Sequence, residues 1–227
     1  MKQVLFLGAP GVGKGTYARR AAPILGFGHI SPGDLLRASV ESRLDVLEYL
    51  KKGTLVPESL VFSLVSDRLR TLTSLSGVIF DGFPRSQEQA AGWLAQPCVT
   101  PPDLVVEFHL PEDLLVQKLL GRRTCGSCGD LYNMYSFTEG EFRMPAMLPK
   151  RDGVCDKCGG TLVRRVDDSL EVIKHRLESH WKNEQELIQY IKDHCDAFVR
   201  FDVKTGIAQL DELIKMIEHH LANTRVS

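Results

Sequence analysis

The sequence predicts an α/β protein: a P-loop, doubly wound parallel sheet with helices on both faces. Three observations predict it. Apolar runs of strand length alternate with segments whose apolar residues recur at helical spacing. The first run, Val4–Leu7, leads into Gly8-Ala9-Pro10-Gly11-Val12-Gly13-Lys14-Gly15-Thr16 and then a helix-like segment, the strand–turn–helix context of a phosphate-binding loop. A later run, Gly77–Phe80, ends on Asp81, so Gly8 and Asp81 both fall at carboxyl ends of strands, where such a sheet keeps its ligand crevice.

Taken in order, residues 2–7 read as a buried strand and 14–25 as a helix ended by Gly26 and Gly28. Ser31-Pro32-Gly33-Asp34 reads as a helix start, with Ser31 as N-cap, Pro32 at the first helical position and Asp34 at the capping-box position. The helical material from Leu35 to Lys52 is interrupted near Asp45 and stops at Gly53. Another helix opens around Val56–Ser59, on the spacing of Leu60, Leu64, Val65 and Leu69. After the strand at 77–81 come a turn at Gly82–Arg85, a helix from Ser86 to Leu94, a strand at 104–110 and a helix running to Arg122. Residues 124–164 show little periodicity. A long helix then runs from Asp168 through Ile191, followed by a strand at 198–203 and a helix at 210–221.

Composition sets the outer bounds. The 227 residues are 43% hydrophobic and 25% charged, with a net charge of −1. That suits one globular core with inserted subdomains, and gives no electrostatic footprint for nucleic acid. No apolar run is long enough to span a bilayer, and no signal peptide is visible, so no membrane association is expected. The default is a reducing, cytoplasmic location, with an organellar matrix left open.

Cys125-x2-Cys128 and Cys155-x2-Cys158 form two knuckles separated by 26 residues. Two such pairs make a tetrahedral four-cysteine zinc site, and a closed site of that kind leaves no open position for chemistry, so the zinc is read as structural. Free or redox-active thiols are the other reading. Cys98 and Cys195 stand alone and read as small buried side chains.

Arg37, Arg85, Arg122, Arg123, Arg165 and Arg176 follow turns or close helices near the predicted crevice. Arginine suits bidentate grip on phosphate oxygens. A single surface arginine is ordinarily a solvated charge, and Arg164 and one of Arg122 and Arg123 are read that way. Phosphoryl transfer needs positioning and neutralisation of a polyanion more than a covalent participant. Asp81 closes an apolar strand and is read as a holder of Mg2+ through water; Asp167 and Asp168 read equally as magnesium holders or as acids at a helix N-terminus. His29 and His180 read as structural or surface residues.

These motifs together resemble the adenylate kinase group of the nucleoside monophosphate kinase family, nearly end to end. The resemblance rests on Gly8–Thr16, Gly33-Asp34-Leu35-Leu36-Arg37, Asp81-Gly82-Phe83-Pro84-Arg85 with Gln89, Gly121-Arg122-Arg123, Arg165-Val166-Asp167-Asp168 and Arg176-Leu177. The paired knuckles make it look like the long form with a zinc-bearing lid. The resemblance implies the reaction MgATP + AMP ⇌ 2 ADP and a monomer whose partners are ATP and AMP. It implies that Gly11, Val12, Gly13, Lys14, Gly15 and Thr16 hold the ATP phosphates, with Lys14 following the transferred phosphoryl. Arg37 and Arg85 would grip the AMP phosphate, beside Gly82, Phe83 and Pro84. Gln89 would read the adenine edge, with Pro32, Thr54, Leu55 and Val56 along the AMP nucleoside. Arg122, Arg165 and Arg176 would close on the phosphates between the two nucleotides, while Leu131, Tyr132 and the backbone near Thr205 would lie by the ATP nucleoside. The family's parts map onto a core (1–30, 61–121 and 165–227), an AMP-binding insertion (31–60) and a lid (122–164).

Four departures stand out. Gly15 occupies the place after the lysine where a phosphate loop carries Ser or Thr as a magnesium ligand. Pro32 stands where the family usually has a threonine near the AMP base. Lys118 stands where many members place an arginine on the ATP base, and lysine stacks less well. The stretch between the cysteine pairs is about ten residues longer than the resemblance leads one to expect, the surplus lying in Met134–Lys150. The alternatives are a GTP:AMP phosphotransferase or another nucleoside monophosphate kinase and, more remotely, a non-catalytic nucleotide-binding zinc-ribbon adaptor.

Overall fold

The computed structural model describes residues 1–97 and 99–223. Cys98 therefore lies outside the described residues. From the N-terminus, β1 (Lys2–Leu7), α1 (Lys14–Leu25), β2 (Phe27–Ile30), α2 (Pro32–Ser39), α3 (Leu44–Lys52), α4 (Glu58–Arg70), β3 (Gly77–Asp81), α5 (Gln87–Leu94), β4 (Leu104–His109) and α6 (Glu112–Gly121) follow one another. Five short strands follow: β5 (Arg122–Cys125), β6 (Leu131–Asn133), β7 (Phe137–Glu139), β8 (Phe142–Met144) and β9 (Leu162–Val163). Then come α7 (Leu170–Lys192), β10 (Phe198–Asp202) and α8 (Leu210–Asn223).

The main sheet is parallel and five-stranded, in the order β10-β4-β1-β3-β2. Parallel strands are covered on both faces, and alternate side chains feed two cores. Val4, Phe6, Val106 and Phe108 face one side with Ala18, Leu115 and Ile217; Leu5, Leu7, Val78 and Phe80 face the other with Val65, Trp93 and Ile191. The register pairs Phe6 with Asp81 and Leu7 with Glu107, so β1 lies between β3 and β4, with the glycine loop just beyond its carboxyl end. The crevice of a doubly wound sheet lies at such a switch of strand order.

The helix starts bear on function. Ser31, Ser86 and Ser169 cap α2, α5 and α7 with their hydroxyls, satisfying an otherwise orphaned N–H at each. No side chain caps α1, which follows Gly13 directly. Its first N–H groups are left for an anion.

Three expectations shift. The break in the helical run falls at residues 40–43 rather than near Asp45, which instead sits in the first turn of α3, where a carboxylate complements the helix dipole. Arg122 starts a strand rather than ending a helix. The 124–164 stretch contains strands of two to four residues, too short to leave a period in the sequence. Cys195 is half-buried, and burial pushes its thiol up to about 11. No described helix is long and apolar enough to cross a membrane.

Candidate active site

The phosphate loop is shaped by glycine where nothing else fits. Gly8, Gly11 and Gly13 have φ of +127°, +90° and +122°. A Cβ on Gly8 would sit 2.2 Å from the Phe108 carbonyl oxygen, and one on Gly11 would sit 2.8 Å from Leu119 Cγ. Lys14 folds back over the loop, donating to the carbonyls of Gly8 (2.6 Å) and Ala9 (2.9 Å). Burial pulls its ammonium down to about 7, against the attraction of Asp81.

Gly15 has a local reason. A Cβ there would come 2.8 Å from Asp81 Oδ2, so the carboxylate fills the space a serine would need. Burial pushes the Asp81 carboxyl up, yet His29, with Nε2 at 3.6 Å, and Lys14 hold it below the ordinary carboxylate range. Sequence reading left His29 without a role; only the parallel register of β2 on β3 places it beside Asp81.

The arginines converge. Both Nε and Nη2 of Arg122 donate to Asp168, at 2.9 and 2.5 Å. Arg176 donates to Asp167 at 2.7 Å, and Arg37 lies 3.6 Å from the same carboxylate. Arg19, Arg37 and Arg165 share Asp34, with Arg37 at 2.6 Å and Arg165 at 3.6 Å. Asp34 thus does not close a capping box: its N–H bonds Ser31 while its carboxylate is drawn to three guanidiniums. Burial pushes that carboxyl up, but Arg37, Arg165 and Arg19 hold it far below its usual range. Asp167 and Asp168 are buried and engaged by arginines, and they stand directly ahead of the Ser169 cap of α7, as acids at a helix N-terminus.

Arg85 differs from the rest. Among the described residues it forms no ion pair; its Nε donates to the Gly82 carbonyl at 3.1 Å, and its N–H to Gln89 Oε1 at 2.7 Å. Burial, and Arg37 beside it, pull its pKa down. Burial likewise pulls Arg165 to about 9 and Arg176 to about 10, against the attraction of Asp34 and Asp167. Around the cleft, among the described residues, Lys14 and six arginines (19, 37, 85, 122, 165 and 176) face the four carboxylates of Asp34, Asp81, Asp167 and Asp168. A polyanion completes this arrangement.

Two clefts meet at Arg37, Arg85 and Arg176, which line both. The larger runs from Gly11–Thr16, Asp81 and Arg165 past Leu131 and Tyr132 to Lys118, Phe137, Met144, Val203 and Ile207. The smaller is lined by Pro32, Thr54, Leu55, Val56, Gly82, Phe83 and Gln89. Pro84 lines the larger cleft only. Thr205 stands just outside: its N–H is tied to Gln209, while its neighbour Gly206 lines the cleft. Tyr132 turns its hydroxyl to the Cys155 sulfur (3.6 Å) and accepts from the Asp156 N–H (2.7 Å), bracing the cysteine knuckles. Arg123 bonds the carbonyls of Leu120 and Arg122 and takes no part in the cleft.

The four cysteine sulfurs lie within 4.8 Å of one another, with Cys125–Cys158 at 3.5 Å and Cys128–Cys155 at 3.6 Å. These separations exclude disulfides and match the edge of a tetrahedron whose centre is ~2.3 Å from each sulfur. Burial pushes the Cys155 thiol up, but the Tyr132 hydroxyl and the N–H groups of Cys158 and Lys157 outweigh it and favour the thiolate.

With this geometry in hand, comparison with known proteins is direct. The model of the family described as adenylate kinase matches residues 6–195. The chain belongs to the adenylate kinase family. It is 37% identical over 220 residues to an adenylate kinase of Thermosipho africanus, covering 94% of this chain and 96% of the relative. It is also 37% identical over 226 residues to that of Thermotoga maritima (96% and 97% covered). A GTP:AMP phosphotransferase of Plasmodium falciparum is 34% identical over 234 residues, covering both chains completely. The protein is accordingly a phosphotransferase of the nucleoside monophosphate kinase class. The family acts on nucleotides with Mg2+, and four close cysteines that could bind zinc accompany the fold here.

Proposed function

We propose that the protein transfers the γ-phosphoryl of MgATP reversibly to AMP, giving two ADP. The observation that carries this reading is the meeting of two clefts at Arg37, Arg85 and Arg176. One cleft has a phosphate loop at its floor; the other has none, as a mononucleotide acceptor requires.

In this reading the N–H groups of Gly11–Thr16 and the positive end of α1 hold the donor phosphates, and Lys14 swings from the Gly8 and Ala9 carbonyls onto them. Arg37 and Arg85 hold the acceptor phosphate. Pro32, Thr54, Leu55, Val56, Gly82, Phe83 and Pro84 line its nucleoside, and Gln89, whose Oε1 is bound by Arg85, has its amide NH2 left for the base. Arg122, Arg165 and Arg176 lie over the transferred group, where charge spreads over the equatorial oxygens. Leu131, Tyr132 and the Thr205 backbone flank the donor nucleoside. Mg2+, when bound with the nucleotide, neutralises phosphate oxygens, and Asp81 would hold it through water. Water in the crevice would compete with AMP, so the arginines should assemble around both substrates only when the cleft closes.

The same reading divides the chain into a core (1–30, 61–121 and 165–227), an AMP-binding insertion (31–60) and a lid (122–164). It takes Cys125, Cys128, Cys155 and Cys158 as ligands of a structural zinc, because only Cys125, Tyr132 and Cys155 form that segment's buried cluster. A monomer suffices, since one chain lines both clefts. A cytoplasmic setting suits four reduced thiols.

GTP as donor is the second reading, favoured by the full-length match to a protein named for that activity. A coupled assay crossing ATP and GTP with AMP, GMP, CMP and UMP tests both. Arg85→Ala should cut turnover by roughly 10²–10³, the loss of about 3–4 kcal/mol of charge-assisted contact, with an unchanged melting temperature. Turnover within threefold of wild type removes Arg85 from the acceptor phosphate.

A further inference from the structure

The surplus residues between the cysteine pairs make a hairpin, β7–β8, turned at Gly140 with Phe137 opposite Met144. Beyond its own ladder the hairpin bonds to the β10–α8 connection, while Met147 just after it pairs with Asn133 of the cysteine sheet. The Arg143 N–H donates to the Lys204 carbonyl at 2.8 Å, and Lys204 Nζ meets Glu141 Oε2 at 2.6 Å. Met144 is only 5% exposed and belongs to the core cluster of the main sheet, against which Phe137 and Phe142 also pack. Met144 also lies against Gly206, where a Cβ would meet its Cγ at 3.7 Å. A segment of the expected lid is therefore seated on the β10–α8 connection.

That seat is the far end of the larger cleft. Phe137 and Met144 line it opposite Ile207, and the Tyr135 and Phe137 rings lie 5.6 Å apart. Lys118 Nζ stands between the Val12 carbonyl and the Met144 sulfur, 3.4 Å from each. A nucleotide with its phosphates on Gly11–Thr16 and its base directed away from the arginines puts the base here. Aromatic rings and a polarisable sulfur offer a flat apolar wall of the kind that stacks on a purine.

We propose that hairpin Phe137–Met144 is the outer wall of the donor-base pocket, held shut by the Glu141–Lys204 pair, and that it sets donor affinity and the preference for purine over pyrimidine donors. The proposal rests on the phosphotransferase reading above. It makes the hairpin matter to one substrate only, since none of its residues lines the acceptor cleft.

The test uses the full chain with Ser136–Arg143 replaced by Gly-Gly, assayed with ATP, GTP and CTP against AMP. Donor KM for ATP and GTP should rise about tenfold, CTP should change little, and KM for AMP should stay within twofold. Glu141→Lys alone should raise donor KM about threefold, as expected of an exposed pair, and the double variant Glu141→Lys with Lys204→Glu should restore it. The charge swap keeps the test open if the shortened chain fails to fold. A donor KM unmoved in an active shortened enzyme, an equal rise in the KM for AMP, or a charge-swapped double variant no better than the single one overturns the proposal. Wild-type protein that transfers phosphoryl from no nucleoside triphosphate to AMP defeats the functional reading instead.

Discussion

Asp168→Asn isolates the electrostatic argument. Asp168 is 1% exposed; both its oxygens accept from Arg122, and Arg176 lies 3.7 Å away. Asparagine keeps one acceptor oxygen and nearly the same volume, so packing is preserved while the negative charge is lost. Breaking a buried pair by removing one partner costs about 3–5 kcal/mol, and the retained hydrogen bond argues for the lower figure. At ~2–4 °C per kcal/mol for a chain of this size, the free protein should melt about 6–12 °C lower. The penalty arises because Arg122, already among Arg165 and Arg176, loses its hydrogen-bonded counter-charge and keeps only the through-space attraction of Asp167 and Asp34. A two-headed adenosine polyphosphate brings that counter-charge back. The melting gap between variant and wild type should therefore shrink at saturating ligand, and the variant should bind the ligand at least as tightly. Turnover should fall, because Asp168 no longer aims Arg122. Differential scanning calorimetry with and without the ligand reads this directly. A fall below about 2 °C in the free protein would show that Arg122 is adequately solvated without Asp168. A gap that ligand leaves unchanged would show that the freed charge is not directed at substrate phosphates.

Three further outcomes test neighbouring parts of the site. Lys14 is held near 7 in the free protein, well below the 10.5 of an unburied lysine, so at pH 8 it is mostly neutral; nucleotide phosphates should restore its charge, and binding should take up close to one proton at pH 8 and far less at pH 6. Calorimetric titration in buffers of different ionisation enthalpy measures this, and the pH-8 uptake should drop in Lys14→Met. Gly15→Ser should push a side chain into Asp81, costing about 1–3 kcal/mol of stability and lowering kcat more than the melt would suggest, whereas a fully active variant would mean that Asp81 yields without consequence. Removing zinc with a chelator should strip hydrogen-exchange protection from Cys125–Asn133 and Cys155–Val163 before the main sheet loses any, and purified protein that contains no bound metal would refute the four-cysteine zinc reading.

What was legible in the sequence followed from periodicity and spacing. Four of the five sheet strands, the phosphate loop and the cysteine pairs are each written in contiguous residues, because their physics is local: apolar runs, glycines that tolerate positive φ, and sulfurs brought together by a two-residue turn. The parts that escaped depend on register between distant strands or on competition among charges. His29 is an ordinary histidine until β2 pairs with β3 and sets it 3.6 Å from Asp81. Asp34 has the spacing of a helix cap, and local rules assign it so; three guanidiniums arriving from α1, α2 and the loop before α7 outweigh one backbone N–H. Asp167 and Asp168 pose the same problem in reverse. As acids ahead of a helix they suit either a dipole or a cation, and only the fold reveals how much positive charge is crowded there. The departure at Gly15 is the instructive case, because it reads as the absence of a metal-ligating hydroxyl in the sequence and as a steric constraint in the structure. A carboxylate from the end of β3 already occupies the space that a hydroxyl after Lys14 would need, so the two features must change together or not at all.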